Sequence, residues 1–198
     1  LGATFSALEV VPLVLIGFEA FQNYRLSKAT AWLEDYKWPI YFMISVAFWN
    51  FLGAGIFGFV INPPIALYYM QGLNTTPLHG HAALFGVYGM LGIGLMLFVL
   101  RSMYRKQKWN DKLIKFTFWS LNIGLLAMVF LSLLPVGMMQ TVASVNHGMW
   151  YARSAEFMQL PVVNAFKWAR VIGDTIFAIG TVTLFLFVYK LTIKKNNK

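Results

Sequence analysis

Five stretches of the chain stay apolar long enough to cross the hydrocarbon core of a bilayer, which takes about 20 residues of helix. They run from Thr4 to Gln22, Trp38 to Ile61, Pro77 to Leu100, Leu113 to Met139 and Asn164 to Leu191. No repeat unit and no low-complexity segment separates them. The pattern predicts an all-α fold, a polytopic membrane helical bundle of five transmembrane helices, with residues 1–198 forming a single membrane region. The longest connection, about Gln140 to Val163, is rich in Trp, Tyr, His and Asn. An interfacial aromatic belt accounts for much of it, and its length also suits the capping of a site at that face.

Composition agrees with the pattern. Hydrophobic residues make up 59% of the chain, charged residues 12%, and the mean hydropathy is +0.62. An average soluble domain has about twice that charged share. The seven Asp and Glu among 198 residues are too few to solvate a globular surface. A soluble enzyme, a disordered chain and a nucleic-acid binder are set aside.

The net charge of +9 follows from topology. Of the 16 Lys and Arg, all but Arg153, Lys167 and Arg170 fall in the first and third connections or the C-terminal tail, which share one side if five helices alternate. The positive-inside rule makes that side cytoplasmic and turns the second and fourth connections outward. With no Cys, disulfides, thiolate metal sites and a Cys nucleophile are excluded. The chain starts at Leu1 with neither Met nor a basic n-region ahead of its first apolar stretch, so it reads as a processed or recombinantly trimmed product, or as one piece of a longer polypeptide.

The main chemical signal is Asn74-Thr75-Thr76-Pro77-Leu78-His79-Gly80-His81. Thr76 before Pro77 predicts an N-cap followed by the first helical residue, which puts His79 and His81 in the first two turns at the outer side. Ionisable residues inside spans are costly and suggest function by default. Residues two apart on a helix point about 200° apart, so the two imidazoles cannot chelate one ion. They can serve two centres, one on each flank, and a flat cofactor held axially by a single imidazole suits that spacing: haem, twice. Glycines at 53, 55, 58, 86, 89, 92 and 94 either admit a planar macrocycle or serve close helix packing. His147 reads as a surface histidine.

The run from Thr75 to His81, continued by Ala82-Ala83-Leu84-Phe85-Gly86-Val87-Tyr88-Gly89-Met90-Leu91-Gly92, resembles the haem-ligand helix of the catalytic subunit of bacterial nitric oxide reductases, in the haem–copper oxidase superfamily. Thr4-Phe5-Ser6-Ala7-Leu8-Glu9 is similar to that family's active-site glutamate helix. Tyr151-Ala152-Arg153-Ser154 and Arg170-Val171-Ile172-Gly173-Asp174-Thr175 resemble the last part of its quinol-dependent branch.

The resemblance implies that this chain is the C-terminal portion of a larger catalytic subunit in a bacterial cytoplasmic membrane, with its haem side outward and its C-terminus cytoplasmic. It implies His79 as axial ligand of a high-spin haem b and His81 as one ligand of a low-spin haem b. The other ligands, including those of a non-haem iron, would come from the preceding part of the subunit. Glu9 would handle protons in the reduction of two NO to N2O and water. Arg153 and Trp150 in the outer connection are candidates to contact haem propionates, where guanidinium pairs well with carboxylate, and serve equally as interfacial anchors. Arg170 and Asp174, four apart and able to pair, would either be a buried tie between helices or, through the Asp174 carboxylate, accept a hydrogen bond from a quinol hydroxyl. Quinol or cytochrome c would be the donor, and the sequence leaves monomer and homodimer open.

Two other functions share features with this one. An O2-reducing haem–copper oxidase also carries two haem-binding histidines at spacing two, and the context of Glu9 favours the NO enzyme over it. A non-catalytic dihaem b electron carrier would supply both ligands of each haem, which one histidine-bearing helix does not. A transporter would leave the histidine pair without a purpose.

Overall fold

The computed structural model of the chain describes residues 34–105 and 107–196, with scattered positions from Thr4 to Gln22, and the described elements are all helical. They are α1 (Lys37–Ile61), α2 (Pro64–Met70), α3 (Thr75–Met103), α4 (Asp111–His147), α5 (Met149–Arg153), α6 (Ala155–Met158) and α7 (Pro161–Asn196). Four of them, α1, α3, α4 and α7, are long and apolar enough to cross a membrane. The first of the five expected spans lies largely outside the described residues, and so does Glu9.

α4 is the axis of the bundle. Over its most apolar stretch 56% of the residues are buried, against 17% for α7. α4 and α7 close on a seam of small residues. A Cβ at Gly124 would stand 2.6 Å from the Phe177 nitrogen, one at Gly173 2.5 Å from the Met128 nitrogen, and one at Gly180 3.0 Å from Leu121. Where lipid replaces water there is no hydrophobic drive between helices, so backbones that approach this closely gain dispersion contacts instead. α1 meets α3 in the same way, with Gly53 against Ala82 and Gly86 against the Trp49 ring. Close packing, the plainer of the two readings of the glycines, therefore holds for Gly53 and Gly86. Gly92 has nothing within 4 Å of a Cβ.

A buried amide links the two pairs. Asn122 of α4 accepts from Ser45 Oγ (2.6 Å) and Trp49 Nε1 (2.9 Å) through Oδ1, and donates to the Phe118 carbonyl at 2.9 Å. Each polar atom has a partner, which is what makes burial of an amide tolerable. At the lysine-rich end Trp38 Nε1 donates to Asp111 Oδ1 at 2.7 Å, and Arg101 pairs with Asp35.

Two expected boundaries move. α4 does not end near Met139 but continues to His147, because Gln140, Ala143 and Ser144 are buried along it. The expected loop from Gln140 to Val163 thus shrinks to a turn at Gly148 and the short helices α5 and α6. Gly148 has φ +88° and ψ 158°, a region open almost only to glycine. α3 begins at Thr75 after an Asn74 cap, two residues before the predicted Pro77 start, and Thr76 is already helical.

Candidate functional site

The start of α3 is fixed by a residue of α4. Gln140, 5% exposed, accepts the Asn74 N–H at 2.8 Å and donates to the Ala152 carbonyl at 3.0 Å. Thr75, buried beside it, donates its hydroxyl to the Met70 carbonyl at 3.2 Å. One amide thus holds the entry to α3, the end of α4 and the connection beyond it in a single arrangement. The pattern of apolar positions gave no sign of this role, since a polar residue at the end of an apolar run reads as loop.

From that entry the helix carries its two imidazoles to different neighbours. His79 Nδ1 lies 2.8 Å from the Gly53 carbonyl of α1. A carbonyl only accepts, so Nδ1 carries the proton and Nε2 keeps its lone pair. Gly58 sits against the same ring, where a Cβ would be 3.2 Å from Cε1. His81 Nδ1 lies 2.8 Å from the Pro77 carbonyl one turn back, and its Nε2 accepts from Arg170 Nη2 of α7 at 2.8 Å. The divergence predicted by spacing two is thus present as contacts with α1 on one flank and α7 on the other.

The backbone here departs from α geometry. Asn50–Phe57 of α1 and Ala82–Gly89 of α3 are π-helical, as is Val129–Leu133 of α4. Such stretches are rare and concentrate at functional positions. In α1 the wide turn leaves the Gly53 carbonyl accepting from the Gly58 N–H as well as from His79. Below the histidines, Leu84 and Tyr88 of α3 are 62% and 67% exposed. These large apolar side chains face lipid or further helices of an assembly.

Arg170 joins two expected features that lie far apart in sequence. Its Nε donates to Asp174 at 3.2 and 3.3 Å, as spacing four predicts, while Nη2 reaches His81. Asp174 is 13 residues into α7, about 20 Å along it, deeper than a start at Asn164 implied. His81, Arg170 and Asp174 line one open groove of ≈ 550 Å³ with Phe85, Met128 and Phe177. Arg153 lies elsewhere, near the start of α3, where Nη2 donates to the Gln71 carbonyl at 2.5 Å and packs on Gly72, whose φ is +70°. Trp150, 85% exposed, suits an interfacial anchor. The His147 ring lies edge-on to Tyr151, with centroids 5.1 Å apart.

These residues meet the demands of axial haem ligation. A ligating histidine donates its second ring N–H to a carbonyl or carboxylate, which fixes the tautomer and raises the basicity of the other nitrogen. Both Nδ1 atoms do this, and the lone pair that Arg170 engages on His81 is the one an iron would take. Among the described residues no three His, Asp or Glu cluster as a metal site.

The model of the cytochrome c and quinol oxidase polypeptide I family matches residues 1–176. The chain belongs to that family. It is also similar to a nitric oxide reductase subunit from Stutzerimonas stutzeri, at 27% identity over 191 residues. That alignment covers 91% of this chain but 38% of the relative, so the oxidase polypeptide I segment seen here spans well under half the length of the relative it matches.

Proposed function

We propose that the chain is the C-terminal part of the catalytic subunit of a nitric oxide reductase, and that His79 and His81 hold the irons of two b-type haems on opposite flanks of α3. The observation that carries the reading is the paired tautomer: each Nδ1 donates to a backbone carbonyl, which leaves Nε2 unprotonated on both rings, and His79 contacts α1 while His81, its Nε2 engaged by Arg170, contacts α7. Similarity to the Stutzerimonas stutzeri nitric oxide reductase chain along most of this one supports NO over O2 as substrate.

The reaction joins two NO through a new N–N bond and breaks one N–O bond, taking up two electrons and two protons to release N2O and water. When bound to His79 and His81, the haems would supply electron transfer and an iron able to take NO; a non-haem iron would be held by the preceding part of the subunit. This chain's residues do the rest. The Gly53 carbonyl fixes the His79 ring, so the imidazole keeps one azimuth. Glu9 passes the protons with which oxygen leaves as water. Arg153, at the outer end of the histidine helix, pairs with propionates through the guanidinium nitrogens that Gln71 does not engage. The donor is quinol, whose hydroxyl Asp174 accepts; its side chain is 47% exposed and is oriented by Arg170.

The test is a dithionite-reduced optical spectrum, with and without CO, of the intact complex and of His79→Ala and His81→Ala, followed by NO and O2 turnover with quinol. Loss of CO binding in the first variant and of the low-spin band in the second is the expected result. A wild-type complex with no CO-reactive haem ends the reductase reading and favours an electron-carrying subunit. Faster O2 than NO turnover moves the assignment to a terminal oxidase.

A further inference from the structure

We infer that the groove between the first turns of α1 and α4 is a binding site for an anionic phospholipid. The groove is open, ≈ 600 Å³, and lies at the lysine-rich end of the bundle. Lys37, Lys112 and Lys115 line its mouth, with Asp111 among them. That carboxylate is already engaged by Trp38 Nε1 at 2.7 Å, and even with its charge counted the mouth keeps an excess of two positive charges. Lys37 also lies over the Trp38 ring, its Nζ 6.0 Å from the centroid, which holds the ammonium at the rim.

The rest of the wall changes character with depth. Tyr41 and Ile44 of α1 and Phe118 and Trp119 of α4 line it. Ile44 is seven residues from Lys37, and Trp119 eight from Asp111, which sets them about 10–12 Å further along their helices. Ile44 and Trp119 are each about half exposed. Cations at one end and exposed aliphatic and aromatic surface a headgroup's length away match one molecule that is anionic at its head and apolar in its tails. A free phosphate would use only the mouth, and an acidic peptide would leave the apolar wall bare. Basic pockets between spanning helices at the cytoplasmic leaflet bind anionic headgroups, with each Lys near the surface adding attraction. The proposal does not depend on the haem reading.

The test uses the full subunit purified in mild detergent, with retained lipid counted by native mass spectrometry after exchange into phosphatidylglycerol or phosphatidylcholine. Wild type is expected to retain phosphatidylglycerol and not phosphatidylcholine. The Lys37→Gln/Lys112→Gln/Lys115→Gln variant should bind phosphatidylglycerol on the order of a hundredfold more weakly, about fivefold per lysine. Ile44→Trp keeps the lysines but fills the groove, and should also lower retention. Inorganic phosphate should not displace the lipid; displacement by phosphate would reduce the site to an anion patch and overturn the proposal. Equal retention in wild type and both variants, with each still eluting as an intact complex, would also overturn it, as would no retained phosphatidylglycerol in wild type because the preceding part of the subunit covers the groove.

Discussion

Gly53→Ala tests the junction on which His79 depends. A methyl group there would lie 2.7 Å from Ala82 Cβ, 2.8 Å from the Ala82 carbonyl carbon and 3.0 Å from the Ala83 nitrogen. Two of those three atoms are backbone, so no rotamer change relieves the conflict. Ordinary contact requires α1 to retreat from α3 by about 0.6 Å, which stretches the 2.8 Å bond from His79 Nδ1 to the Gly53 carbonyl to the limit of hydrogen bonding. Overpacking costs about 1–3 kcal/mol and the weakened bond about 1 kcal/mol, against a gain of up to about 1 kcal/mol from alanine's helix propensity. Gly92→Ala, where a Cβ meets nothing within 4 Å, has the gain alone. The two substitutions are chemically identical and should differ in sign, with a gap of about 2–4 kcal/mol between them.

Thermal unfolding of the purified complex measures that gap, and the CO-difference spectrum reports whether the His79 ring has moved. Adding Ala82→Gly to Gly53→Ala removes the 2.7 Å contact and leaves the one at 2.8 Å, so it should rescue only in part. Equal stability of Gly53→Ala and Gly92→Ala, with unchanged CO spectra, would refute the close contact and the positioning role together.

Gln140→Leu strands the Asn74 N–H and the Ala152 carbonyl, a loss of about 2–6 kcal/mol at roughly 1–3 per buried group, read as earlier thermal inactivation. Asn122→Leu leaves the Trp49 indole N–H without its acceptor and should destabilise by a similar amount in the same assay, whereas half-buried Thr192→Ala, which loses only a solvent-exposed hydrogen bond to its own helix, should be near neutral. Gly148→Ala puts a side chain where φ is +88° and should cost about 1–3 kcal/mol, with limited proteolysis increasing at the α4–α5 turn. Glu9→Gln should keep both haem spectra while NO turnover falls by on the order of 10²–10⁴, the usual worth of a positioned proton-transfer group.

The long helices were legible because a bilayer imposes one simple demand, about 20 apolar residues in a row. The divergence of His79 and His81 was legible because it is a property of helical rotation alone. The ends of α3 and α4 were not. Gln140 and Ser144 look like loop residues to any hydropathy argument, yet they are buried, and the partners that satisfy Gln140 lie as far as 66 residues away. Arg170 and His81 are 89 positions apart. The expected ion pair with Asp174 was a local matter of spacing four, while the contact with the imidazole depends on how α7 leans on α3. The seam of Gly124, Gly173 and Gly180 was missed for the same reason, since a lone glycine in an apolar run does not say which helix it faces.

The π-helical stretch just after His81 also bears on how this chain tolerates change in length. Each π turn takes in one residue more than the α turn it replaces, so Ala82–Gly89 stores surplus chain inside an otherwise regular rod. Removing one residue there lets the helix relax toward α winding while His79, His81 and everything before them stay in register. The same deletion between Met90 and Met103, where the helix is already α, has no slack to draw on and rotates every later side chain by about 100°. A single-residue deletion scan along α3 should therefore find its tolerant window beside the histidines, within Ala82–Gly89.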